Sequence, residues 1–585
     1  MRAASRALLF FSRFSLGSRF SRFSRFSRLS LVSLVSLVPL AVCAACDGTT
    51  RPPELGTLIP PGADDAGTSD GSVGSFGPVI DPNDDPTTCD EAAEWQSYVG
   101  CDYWPTVTAN NVWSIFDYAV VVANAGSTPA MVTVTGPMGV SQVQTVAPND
   151  LAKLYLPWVP ALKGSDSDTC GDSVPLAASV VAPAGAYHLV SSVPVTVYQF
   201  NALEYVGKGG PAGKSWSSCP GSQPCTTGPF AGSTLGCYSF TNDSSLLLPT
   251  TALTGNYRVT AYPGESGIVD GMTTGLMASY VTITATADGT HARVLLSATA
   301  DILAGPGVQA TAAGGELDLT LDAGDVAELV TDLGDTIDLS GSLVLADQPV
   351  QVLTGSPCTD VPESAAACDH LEQTVFPAET LGKQYFVNVP SGPTGYPVGH
   401  VVRMYGNVDG TKLTYAPSTP GGCPATLDAG EVVDCGVVET DFEVTGSSEF
   451  AVGTFMLGGT MVDPSGGLGD PSESMIASVE QYRTKYVFLA PNDYDESFID
   501  VIAPSGADLV LDKATVDFGS RSPIADGYDV WRVGLLQSSN GAHTLESSTP
   551  VGIQVLGYGL YTSYQYPGGL NLKHISPPPP PGPNQ

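Results

Sequence analysis

Positive charge is scarce in this chain. Of its 585 residues only 23 are Lys or Arg, against 59 Asp or Glu, which gives a formal net charge of −36. A chain without clustered basic residues does not wrap nucleic acid through phosphate contacts, so nucleic-acid partners are excluded. Charged residues of either sign make up only 14% while 43% are hydrophobic, a balance too apolar for wholesale disorder. Helical periodicity is almost missing from the body, and so is the composition of a coiled coil. There is no H-E-x-x-H and no phosphate-binding P-loop. The six His are scattered without H-x-x-x-H spacing, so no zinc site is expected. What is abundant is Gly (65) and Pro (47), the residues that punctuate turns.

The N-terminal 45 residues break the charge rule. They hold Arg2, Arg6, Arg13, Arg19, Arg22, Arg25 and Arg28 and no acidic residue. A basic repeat, SRFSRFSRFSRL, runs into the apolar LSLVSLVSLVPLAVCAAC, the layout of an export signal. Its exit, Cys43-Ala44-Ala45-Cys46, resembles a bacterial lipobox, although Cys43 stands where that pattern prefers Leu. The resemblance implies lipid attachment at Cys46, and multiple acyl chains there form a stable membrane anchor. Removing the seven Arg would leave a mature chain at −43. Residues 46–88 are rich in Pro, Gly, Asp, Ser and Thr and read as a disordered tether. As a flexible coil such a segment spans roughly 35 Å.

From residue 89 to about 565 the chain consists of short β-rich runs, among them FDYAVVVAN, ASYVTITATADGT, GELDLTL, KQYFVNV and SFIDVIAP. They predict an all-β fold. Three landmarks recur. One is a strand of the form x-V-x-V at Pro194, Pro349, Glu449 and Pro550, the last three spaced by 100 and 101 residues. A second is a Tyr that opens a strand, at Tyr257, Tyr385 and Tyr486. Both Tyr385 to Glu449 and Tyr486 to Pro550 are 64 residues. The third is an acidic turn at Asp150, Asp325 and Glu431. The expected architecture is about four tandem immunoglobulin-like β-sandwich repeats of about 100 residues, packed on one another. A propeller-like or fused β-sandwich arrangement is the alternative, since a propeller blade needs only about 40–50 residues. The expected divisions are a signal at 1–45, a tether at 46–88, repeats at 89–244, 245–369, 370–475 and 476–565, and a Pro-rich tail at 566–585.

Ten cysteines lie in this body: 89, 101, 170, 219, 225, 237, 358, 368, 423 and 435, none spaced as C-x-x-C. An even count in an exported chain reads as disulfides. Cys89/Cys101, Cys358/Cys368 and Cys423/Cys435 are close pairs, while Cys170, Cys219, Cys225 and Cys237 allow three connectivities. Cys368-Asp369-His370 has the residue types of a nucleophile and base, but neighbours on a strand point to opposite faces and Cys368 has a disulfide candidate. No catalytic residue is assigned. Acidic loops at Asn492, Asp493, Asp495 and Glu496, and at Asp166, Asp168 and Asp172, place oxygens at alternate positions as a calcium loop does, without matching the EF-hand pattern. Calcium at Asp493, Asp495 and Glu496 is therefore a candidate, against the plainer reading of solvated turns. No other cofactor is indicated. Aromatics cluster at Trp95, Tyr98, Tyr103 and Trp104 and at Trp113, Phe116 and Tyr118, either as core or as a ligand-stacking surface.

Several phrases occur in an order that resembles one family. They include HLVSSVPVTVYQFNALEY, YSFTNDSSLLLPTTALTGNYRVTAYP, ADQPVQVLTGSPCTDVP, CDHLEQTVFPAETLGKQYFV and VEQYRTKYVFLAP. The chain is similar over residues 89–565 to the IgGFc-binding protein N-terminal domain family, found on bacterial surface lipoproteins and in an animal mucus protein. The most specific phrase runs from Pro194 to Asn201 and from Leu248 to Tyr257, with Thr254 before Gly255 as a variant. The resemblance implies a non-catalytic extracellular β module for adhesion or matrix binding, with a protein or glycan ligand. It does not imply antibody Fc binding. The expectation is a surface lipoprotein held by its lipid at the outer membrane or cell face. The alternatives are a structural envelope or matrix component and a polysaccharide hydrolase with an unrecognised carboxylate pair.

Overall fold

The β-rich runs are strands, and the helices are single turns or short caps. A computed structural model describes residues 85–579, except 175, 227–230, 266–267, 270–271, 274–276, 364, 518–520 and 539. The export segment, Cys46 and the tether up to residue 84 lie outside the described residues. Strand makes up 43% and helix 6%, so the fold is all-β.

Four units of two facing antiparallel sheets follow one another along the chain. In the second, Tyr280–Ala285 lies between Val326–Val330 and Val350–Thr359, and the opposing sheet centres on Thr290–Leu295 between Glu316–Leu321 and Leu343–Ala346. Val281, Ile283 and Val352 meet Val294, Leu319 and Val344 in its core. Along Glu316–Leu321 the Leu residues are buried and Glu316, Asp318 and Thr320 are exposed, because one face of that sheet meets water. The facing sheet is buried on both sides. Its second face meets the neighbouring unit, which explains buried polar residues in otherwise apolar strands. Thr284 bonds Thr106 at 2.9 Å, and the Gln351 side-chain amide donates to the Trp104 carbonyl at 2.8 Å. In the first and fourth units one long strand, His188–Asn201 and Ala542–Gly559, serves both sheets. Val180–Ala182 extends from the first unit to pair with Val326–Val330 of the second.

The last strand of each unit lies on a common axis. Asp243–Leu247 packs against Asp369–Thr374 and Thr562–Pro567, and Glu473–Met475 packs against the same two, closing a ring. The sandwich units therefore occupy the places of four propeller blades, which unites the expected architecture with its alternative. The described residues between 85 and 579 form one compact body and not a string of beads. The divisions drawn at 244/245 and 369/370 fall inside axial strands, and Leu570 and Leu572, beyond 565, are buried. Composition shows where turns cluster but not which flanking strand completes a unit.

A tyrosine closes each unit in the same way. The Tyr257 hydroxyl accepts from the Thr254 N–H at 3.1 Å and donates to the Val350 carbonyl at 2.6 Å. Tyr385 accepts from Gly382 N–H at 3.1 Å and donates to Phe450 at 2.6 Å. Tyr486 accepts from Arg483 N–H at 3.1 Å and donates to the Val551 carbonyl. Each acceptor directly follows a landmark residue, Pro349, Glu449 or Pro550. The recurrent 64-residue spacing is thus a physical contact. The first unit has the same clasp at Tyr103, with Gly100 N–H at 2.8 Å and the Val195 carbonyl at 2.6 Å.

The axis itself is polar. Asp243 accepts from the N–H groups of Ser244, Glu372 and Glu473 and from the Ser472 hydroxyl, joining three units at one carboxyl. Glu372 accepts from Thr108, Gln199, Asn201 and Ser245, all of the first unit. Asp369 accepts from the Asn242 N–H and the Thr562 hydroxyl. Burial pushes the carboxyls of Asp243, Glu328, Asp369, Asp470 and Glu473 well above the usual carboxylate range, and at Asp243 it does so against the donors that pull the other way. Burial also raises Asp500 to about 6.

These groups hold protons in the folded state that the unfolded chain releases near pH 4. Their contribution to stability is complete below that pH and is lost as pH rises through their folded values. His400, lowered to about 3 by burial and by Arg532, acts oppositely, because the unfolded chain takes up its proton below about 6.5. Six carboxyls outweigh one imidazole, and the repulsion within an acidic chain adds to the same trend. The melting temperature is expected to be several degrees higher at about pH 5 than at about pH 8.5. Thermal melts across that range check it, and a profile rising toward alkaline pH would contradict it.

Candidate functional site

Of the aromatics clustered in the sequence, all but the half-buried Trp95 fill the core. Tyr98, Tyr103, Trp104, Trp113, Phe116 and Tyr118 are all buried. Trp113 donates its indole N–H to the carbonyls of Ser167 and Asp168, at 3.2 and 3.0 Å, tying the core to a loop-rich lobe built from segments on either side of the strands Val180–Ala182 and His188–Asn201. That lobe is held by Cys170–Cys225 and Cys219–Cys237, which resolves the connectivity left open. The three close pairs, Cys89–Cys101, Cys358–Cys368 and Cys423–Cys435, are bonded as expected. Cys368 is therefore not a nucleophile.

The acidic loops are engaged with protein groups. Asp493 accepts the Tyr205 N–H at 2.9 Å and Asp495 accepts the Tyr205 hydroxyl at 2.7 Å, while Glu496 opens the strand Glu496–Pro504 on the surface. Asp166 pairs with Lys163 at 2.7 Å, and Asp168 accepts the Cys170 N–H at 2.7 Å and the Asp172 N–H at 3.1 Å. Among the described residues no cluster of three or more His, Cys, Asp or Glu is placed to hold a metal ion.

A charged cavity of about 190 Å³ lies where the first unit meets the loop Asn492–Asp493 of the fourth. Its walls are Lys153 and Tyr155 from the strand Asp150–Leu156, Leu203 and Glu204 from the segment after His188–Asn201, and Lys208, Gly209 and Gly210 from the loop beyond. Lys153 and Tyr155 share a strand face, as alternate residues do, while Leu154 and Leu156 on the other face are buried in the first unit's core. Gly209 and Gly210 have φ of +78° and +82°, so this tight loop lines the cavity without side chains to fill it.

The electrostatics of this cavity are unusual. Glu204 is only 5% exposed, and its carboxylate oxygens make no well-formed hydrogen bond, the Tyr155 hydroxyl being the polar group beside them. Burial, followed by Asp117 and then Asp493, raises its carboxyl to about 7. Lys153 is held below the usual ammonium range, chiefly by burial, with Asp493 and Glu204 opposing. Among the described residues no carboxylate lies within ion-pairing distance of Lys153, whereas Lys214 is paired with Asp117 beside the cavity. Sequence reasoning passed over Glu204, which stands in the quoted phrase FNALEY ahead of the Gly- and Lys-rich VGKGGPAGK. That loop was the available signal.

Fold and site together define a disulfide-stapled all-β module with a small charged cavity between its first and fourth units. Residues 243–557, more than half the chain, match the family described as IgGFc binding protein, and the chain belongs to that family. A stretch of 124 residues, 21% of this chain, is 34% identical to the human (Homo sapiens) IgGFc-binding protein and spans 2% of that protein's length. An anti-sigma factor domain-containing protein from Clostridium clariflavum aligns at 11% identity over 55% of this chain and 83% of its own, with a TM-score of 0.10. A tetra-tandem repeat from the extending region of a large adhesion protein aligns at 11% identity over 81% of this chain and 99% of its own, with a TM-score of 0.08. Neither of these two likenesses bears on the fold.

Proposed function

We propose that this chain is a non-catalytic surface lipoprotein whose four-unit body binds a ligand in adhesion or matrix attachment. The observation that carries this reading is the pairing of all ten body cysteines, spread over the first three units of a ring with family membership. Disulfides at this density persist in oxidising compartments, outside the cytoplasm. The basic export segment, Cys46 and the acidic tether would place the ring about one tether length from the membrane. Antibody Fc, named in the human relative, is one protein ligand to include in a binding screen.

Replacing Cys46 with Ala in the source cells tests the anchor. The native protein should partition with membranes and be open to protease on intact cells, and the variant should be released in soluble form. Deleting the gene should reduce adhesion to surfaces or to other cells. Equal partitioning of both forms, with unchanged adhesion, would contradict the proposal.

A further inference from the structure

The cavity around Glu204 brings together that buried carboxyl and the half-buried ammonium of Lys153, two groups of opposite sign that form no ion pair with each other. Leaving either one desolvated and unsatisfied costs free energy, so a chain selected for stability alone would pair them or replace them with apolar residues. Glu204 has the Tyr155 hydroxyl beside it but no well-formed hydrogen bond, and Lys153 has no ion pair among the described residues, yet both line the same space. A neutral sugar would leave both charges uncompensated. A metal cation would satisfy Glu204 and oppose Lys153 and Lys208. One molecule carrying both charges satisfies the two together.

The volume points the same way. About 190 Å³ corresponds to about six waters at ~30 Å³ each, far less than a drug-sized pocket and enough for one compact molecule. We propose that this cavity binds a small zwitterion of the α-amino-acid class, its ammonium on Glu204 with Asp493 nearby, and its carboxylate on Lys153 and Lys208. The Tyr155 hydroxyl, on the same strand face as Lys153, is placed beside Glu204 to receive or donate a hydrogen bond to the ligand's polar groups. This inference goes beyond the surface-binding reading and holds whether or not Cys46 carries a lipid.

Binding should depend on pH. The groups that face Glu204 are Asp117 and Asp493, which repel its charge, Tyr155, and Lys153, Lys208 and Lys214, which favour it. A ligand ammonium needs the ionised carboxylate, so affinity should fall toward tenfold for each pH unit below about 7.

The test is calorimetric titration of the intact oxidised body with glycine, serine, leucine, glutamate and lysine. Ethylamine, propionate, glucose and N-acetylglucosamine serve as comparators. At least one amino acid should bind saturably and raise the melting temperature, with each singly charged fragment weaker by tenfold or more. Glu204→Gln and Lys153→Met should each abolish that binding. Glu204→Gln should also raise the melting temperature of the ligand-free protein, since it removes a buried unpaired charge; this readout does not depend on knowing the right amino acid. The proposal is overturned if no amino acid binds, if a neutral sugar binds in preference, if both variants bind unchanged, or if Glu204→Gln lowers the ligand-free melting temperature.

Discussion

Glu372→Ala is expected to destabilise the folded body by about 4 kcal/mol or more, because charge-assisted hydrogen bonds contribute about 1.5–3 kcal/mol each and stranded buried donors cost more still. Glu372 belongs to the axial strand Asp369–Thr374 of the second unit, but all four of its side-chain donors come from the first. Thr108 lies at 2.6 Å, Gln199 at 2.8 Å and Ser245 at 2.9 Å, and all are buried. Removing the carboxylate leaves four polar groups of one unit facing a cavity in another. Glu372→Gln should cost much less, since its amide oxygen can still accept from Gln199 and Ser245, while its NH2 can donate to the Thr108 hydroxyl, which rotates, and to the unpartnered Asn201 amide oxygen, which can turn toward it. Denaturant midpoints of the two variants measure the difference. An alanine variant within about 1 kcal/mol of the native protein would show that the units are not joined at this carboxylate.

The second large effect concerns the tyrosine clasps. Tyr385→Phe keeps the ring in the core and removes only the hydroxyl, which leaves the Gly382 N–H and the Phe450 carbonyl without that partner. With about 1–3 kcal/mol for each buried group left unsatisfied, a loss of about 2–4 kcal/mol is expected. Tyr257→Phe and Tyr486→Phe remove the same pair of bonds in the second and fourth units and should cost similar amounts. Equilibrium unfolding of the three variants checks this. A single expensive position among two neutral ones would mean that the shared geometry does not carry shared energy.

These clasps also explain how much of the fold was legible in the residues. Tyr385 and Glu449, or Tyr486 and Pro550, stand at equal spacing because the hydroxyl of one binds the carbonyl next to the other. A contact inside a unit fixes both residue type and distance along the chain, so it surfaces as a repeat. Tyr103 was legible only as one of a cluster of aromatics, because Trp104-Pro105 follows it in place of the alternating strand that follows Tyr257, Tyr385 and Tyr486. The ring was not legible for the converse reason. Its contacts run between units, where Asp243 meets Glu372 and Glu473 through main-chain N–H groups that any residue supplies. The short disulfides were readable from proximity in sequence, whereas Cys170–Cys225 and Cys219–Cys237 depend on how the lobe folds over Trp113. Glu204 was hidden most deeply, since its distinction lies in the partners it lacks.

The central claim is that four sandwich units form one ring closed by a polar axis. Differential scanning calorimetry of the oxidised body tests it most directly. A ring predicts one cooperative transition, shifted as a whole to lower temperature by Glu372→Ala. Four separable transitions, with only the second unit's affected by that change, would contradict it.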